Sequence, residues 1–132
     1  MYDLFIVCRD PYLNSLFGCI GTAVVSTRQE GAKVALMLTQ EAVIALAEKK
    51  FTLAPLLEKY ADKLSAVSKQ FDFPEDPVEM IKMAVNEGVR VFTCEVWAGL
   101  APTGSLPPEL DIIPVSELIK IIAGCKKILG SF

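Results

Sequence analysis

The amino-acid sequence predicts an α/β fold, a three-layer α/β/α sandwich on a mostly parallel five-stranded sheet. Three observations carry this prediction. Short, nearly continuous apolar runs recur at residues 2–8, 33–38, 89–94, 110–114 and 126–129, as strands buried on both faces require. Between them lie segments with apolar residues at helical spacing. Start and stop signals punctuate the alternation: Asp10-Pro11, Glu30-Gly31, Asp76-Pro77, Gly88 and Gly124. Strands that alternate with helices need right-handed crossovers, and these make neighbouring strands parallel.

Each element follows in order. In residues 2–8 only Asp3 is charged, so the run reads as a strand. Asp10 then reads as an N-cap and Pro11 as the first helical residue. Leu13, Leu16, Phe17, Ile20 and Val24 continue the helix to about Thr27. Gly18 and Gly21 weaken its propensity, and would let its backbone lie close to the sheet or to another subunit. Residues 33–38 form the second strand, and Thr39-Gln40-Glu41 opens a helix carrying Val43, Ile44, Leu46 and Ala47. The stretch 51–76 is the least regular. It has room for a short helix from Leu53 to about Lys69 and reads as a lid or an oligomer contact. Asp76-Pro77 repeats the cap signature before a helix that ends at Gly88. The third strand, 89–94, runs into a short helix from Glu95 to about Leu100, closed by Pro102 and Gly104. A short fourth strand, a helix starting at Ser116 and Glu117, and a fifth strand complete the order.

Composition narrows the function classes. A chain of 132 residues fits one domain, 1–132, with a core of its own. The apolar fraction is 52% and the mean hydropathy +0.43, yet no apolar stretch approaches the ~18–20 residues of a membrane span. The N-terminus has no basic region and no small-residue cleavage site, which reads as neither exported nor inserted, hence cytoplasmic. Surplus apolar surface then points to a homo-oligomer. Net charge is −3, and Lys and Arg are scattered, so the basic footprint of a nucleic-acid binder is missing. Histidine is absent. That removes Ser-His-Asp and Cys-His catalysis and His-ligated metals together.

The four cysteines, Cys8, Cys19, Cys94 and Cys125, contain no C-x-x-C and no paired zinc spacing. They read as reduced thiols. In open parallel sheets ligands bind outside the carboxyl ends of the strands, where Cys8 and Cys94 both fall. Cys94 is the stronger candidate, because a helix begins directly after it and helix N–H groups stabilise a thiolate. Glu95 works against this, since an adjacent negative charge disfavours the thiolate. Trp97 is placed to wall a pocket, and Arg9 and Asp10 are placed to line the same cleft. Cys8 is either core or a second thiol facing Cys94. Cys19 reads as packing and Cys125 as structural. The competing reading of Cys94 is a small buried hydrophobe. No G-x-G-x-x-G follows the first strand, so no dinucleotide fingerprint is present.

The segment 88–95, GVRVFTCE, with its short helix and Pro/Gly turn, resembles the DsrE/DsrF-like family. So does 110–118, LDIIPVSEL, followed by an apolar helix and a terminal strand, and so does the Asp10-Pro11 start after the first strand. The likeness spans most of the chain outside 51–76. It implies a sulfur-relay fold assembled as trimers or hexamers, from one chain or related subunits. It further implies that a cysteine at the position of Cys94 carries a persulfide exchanged with a small sulfur-carrier protein, with no metal or organic cofactor. The expectation is a cytoplasmic sulfurtransferase-type carrier acting through Cys94. The alternative is an oligomeric module that binds a small ligand or partner, with Cys94 structural.

Overall fold

A computed structural model describes residues 1–130 and 132. The elements are β1 (Leu4–Cys8), α1 (Leu13–Glu30), β2 (Val34–Leu38), α2 (Glu41–Glu48), a 3₁₀ turn (Pro55–Tyr60), α3 (Ala61–Gln70), α4 (Pro77–Asn86), β3 (Arg90–Cys94), α5 (Glu95–Ala98), β4 (Asp111–Ile113), α6 (Val115–Gly124) and β5 (Lys127–Leu129). All five strands are parallel, in the order β4-β3-β2-β1-β5. The fold is therefore α/β, as expected from the alternation of elements.

Strand periodicity sorts the sheet residues between two layers. Ile6, Cys8, Leu36, Leu38 and Val91 face one side, where Leu16, Ile20 and Val24 of α1 and Met80 and Ile81 of α4 close over them. Phe5, Ala35, Met37, Phe92 and Ile113 face the other, against Leu118 and Ile121 of α6. The topology explains why α6 crosses alone. The chain steps outward from β1 to β4, then returns past the sheet to place β5 on the free side of β1, and a right-handed return runs over the opposite face.

Local chemistry accounts for most of the helix ends. Asp76 Oδ2 accepts the Glu79 N–H at 3.1 Å, and Pro77 takes the first helical position, where a missing N–H costs nothing. Gly31, at φ +63°, ends α1 in the left-handed region with its N–H donating to the last-turn carbonyl of Thr27. The start of α1 corrects the sequence expectation. Asp10 is not its N-cap; Tyr12 is, and it uses no side-chain bond. Thr52 wins this position from outside. It forms a parallel bridge with Tyr12 and accepts the Leu13 N–H at 2.8 Å, which holds Tyr12 extended and delays the helix.

Two further expectations change. A Cβ built on Gly18 or Gly21 meets nothing within 4 Å, so neither glycine serves close approach to the sheet. Segment 51–76 holds two helical pieces, the 3₁₀ turn and α3, where one helix was expected. No helix among the described residues is long and apolar enough to cross a membrane.

Candidate functional site

β3 ends and α5 begins at Cys94. Its backbone is extended (φ −84°, ψ 148°), it serves as the N-cap of α5, and its Sγ accepts the Val96 N–H at 3.4 Å. A serine or aspartate oxygen usually fills this role; here the acceptor is sulfur. The residue is 4% exposed. Its strand partner in register is Ile113, whose side chain lies in the α6-facing cluster, and alternation from Phe92 puts the Cys94 side chain on that same face.

Glu95 is exposed, and its Oε1 accepts the Val115 N–H at 3.4 Å, the first amide of α6. The carboxylate therefore sits at a helix N-terminus, where the α6 dipole offsets its charge. Trp97 is half-buried and packs against the core on the α1 side, together with Leu106 and Leu110. It anchors α5 to that core.

Cys8 does not face Cys94. β2 lies between their strands, which separates them by two strand spacings, about 9.5 Å. A disulfide needs Cα atoms within about 7 Å. Alternation also places Cys8 on the α1 face, opposite to Cys94. The thiol-pair reading is thus corrected: the sheet order, which no residue pattern announces, separates the two. Cys8 instead meets Cys19, and both are fully buried. The hydrogen bond to Cys8, together with burial, pushes the Cys19 thiol far above its ordinary value. Cys19 is a packing residue. Cys125 caps the end of α6, with its thiol donating to the Ile122 carbonyl at 3.2 Å.

Arg9 and Asp10 follow β1, two strands from Cys94. Their N–H groups both donate to the Phe132 carbonyl, at 2.7 and 2.9 Å, and their side chains lie 3.9 Å apart. The reversal of strand order between β1 and β5 is where doubly wound sheets open a crevice; Phe132 closes this one. Among the described residues no three His, Cys, Asp or Glu side chains converge as a metal site. Sequence reasoning missed Thr93 beside the candidate cysteine. It is fully buried, and its Oγ1 has no hydrogen-bond partner among the described residues.

An open, all-parallel five-stranded sheet with a cysteine capping the helix after β3 defines the class: an α/β protein with a candidate thiol site at the strand ends. Within that class the fold is similar to the crystal structure of the ychN protein from E. coli, with a TM-score of 0.66, 98% of each chain covered and 17% sequence identity. At that identity the likeness is one of fold. No family model matches the chain, and no curated protein sequence matches it.

Proposed function

We propose that the protein is a sulfur carrier of the DsrE/DsrF-like type, working in the cytoplasm through Cys94. The observation that carries this reading is the Val96 N–H directed at Sγ of a cysteine on a carboxyl strand end. The fold shared with YchN, itself a DsrE/DsrF-like fold, supports the family reading at the level of architecture. The Cys94 thiolate attacks the outer sulfur of a donor persulfide, R–S–SH. A new S–S bond forms to Cys94, the donor S–S bond breaks, and the donor leaves as R–S⁻ with its electron pair. The product, Cys94–S–SH, then gives its outer sulfur to a thiolate of a small carrier protein by the same exchange. Low exposure keeps the persulfide from adventitious thiols until the acceptor docks.

An oligomer is part of this reading. Val115, Ile119 and Ile122 form an exposed stripe on the outer side of α6, and exposed Ile128 of β5 lies on the same face of the sheet. Apolar side chains in such number on one small surface fit a contact with further copies or related subunits, in trimers or hexamers.

Intact-protein mass spectrometry after incubation with a persulfide donor tests the carrier. One added sulfur is expected on the wild type and none on Cys94→Ser. The same burial that shelters a persulfide favours a second reading, an oligomeric binding module in which Cys94 only packs. No added mass on either protein, with Cys94 also slow toward an alkylating agent, would establish that second reading in place of the first.

A further inference from the structure

Helix α3 is poorly married to the body of the protein. Of its ten residues only Ser68 is buried, while Leu64, Val67 and the following Phe71 keep much of their apolar surface in solvent. It is held at its ends, by the 3₁₀ turn before it and by the Phe73 N–H donating to the Ser68 carbonyl at 2.8 Å after it. The Phe73 ring reaches the Phe17 ring of α1 at 4.4 Å. Between these tethers α3 stands off α1 and leaves a cavity of about 320 Å³. A second space of about 410 Å³ continues beyond Phe17 and Val67, which line both.

The walls of the first cavity are mainly apolar, among them Leu13, Phe17, Leu53, Leu64 and Met80. Its polar groups are few and unequal. Asn14 is committed, its Oδ1 accepting the Ala54 N–H at 3.0 Å. Ser68, 5% exposed, lines the space with a hydroxyl that makes no hydrogen bond among the described residues. Ser65 lines it as well, and Glu75 lines it with an exposed carboxylate that has no ion-pair partner among the described residues. Ligand sites of about 300–1,000 Å³ combine such apolar walls with a small number of placed polar groups. Hydroxyl and carboxylate together select a donor, and the carboxylate selects a positive one.

We propose that the α1/α3 cavity binds a small primary amine with an alkyl or aromatic body, its nitrogen donating to Ser68 and Glu75 and its apolar body packed between α1 and α3. The site lies on the α1 side of the sheet, away from the face that carries Cys94, and stands independently of the sulfur-carrier reading.

The test uses N-phenyl-1-naphthylamine, which fluoresces in apolar surroundings, displaced by octylamine, octanol and octanoate in turn. Saturable binding at one dye per chain is expected, with octylamine displacing it at about fivefold lower concentration than octanoate. Ser68→Phe fills the cavity and should abolish saturable dye binding. Glu75→Gln, on the surface, should keep dye binding and erase the preference for the amine. Dye uptake that never saturates, or persists unchanged in a folded Ser68→Phe variant, overturns the site. Equal displacement by amine and carboxylate in wild type and Glu75→Gln alike overturns the ligand class, and this readout holds even if Ser68→Phe does not fold.

Discussion

The two faces of the sheet are built to different standards. On one, the eighteen-residue α1 and the ten-residue α4 bury Leu16, Ile20, Met80 and Ile81 completely or nearly so over Ile6, Leu36 and Val91. On the other, α6 alone covers Phe5, Ala35, Met37, Phe92 and Ile113, and not one of its own residues is fully buried. The difference teaches where a single chain obtains its stability and where it has apolar surface left over. The candidate thiol belongs to the second, lightly covered face. A reactive group is more readily reached there than beneath α1, where Cys8 and Cys19 are sealed.

The largest contrast comes from truncating one side chain on each face. Ile20→Ala should cost about 3 kcal/mol, since a fully enclosed site leaves a cavity behind. Leu118→Ala, on half-buried α6, should cost about 1 kcal/mol. Urea unfolding of both variants measures this, and equal costs would show that the α6 layer is as well made as the α1 layer. Next in size is Thr93→Val. Removing a buried hydroxyl without a partner should stabilise the chain by about 1 kcal/mol; a loss instead would reveal that the hydroxyl is satisfied in solution.

Gly21→Ala should raise stability by roughly 0.5–1 kcal/mol, because the added methyl meets nothing and the helix gains propensity. A loss, measured in the same titration, would mean that another copy approaches the helix there. The smallest effect on the chain itself is expected from Ile119→Lys, at 61% exposure, within about 0.5 kcal/mol. Its effect on assembly should be large, with the mass by light scattering falling to that of one 14.4 kDa chain. An unchanged mass would free the α6 stripe from any part in assembly.

How much of this was legible in the sequence follows from what each signal depends on. The strands declared themselves, because a central parallel strand is apolar on both faces and has little freedom to be anything else. Asp76-Pro77 worked as a cap because the helix after it starts without outside interference. Asp10-Pro11 has the same letters and failed, because Thr52, forty residues on, pairs with Tyr12 and settles the local geometry. Cys94 was legible as a strand-end thiol, since adjacency to the next helix is local. The distance from Cys8 was not, for it depends on β2 lying between the two strands. The α1/α3 cavity gave no advance sign. The mixed pattern of 51–76 reads as a lid or an oligomer contact, and only the stand-off of α3 shows that Leu64 and Val67 line a space.

The place of β5 beside β1 bears on how the protein is made. β1 leaves the ribosome before the other four strands of the sheet, and its partner on one side, β2, follows within about 30 residues. Its other partner, residues 127–129, comes more than a hundred residues later. Contacts so distant along the chain are the slow ones to close. Throughout synthesis, the apolar run Leu-Phe-Ile-Val in β1 therefore presents one open edge, and open edges recruit other chains. Synthesis thus leaves an adhesive segment waiting for the sheet partner furthest from it along the chain.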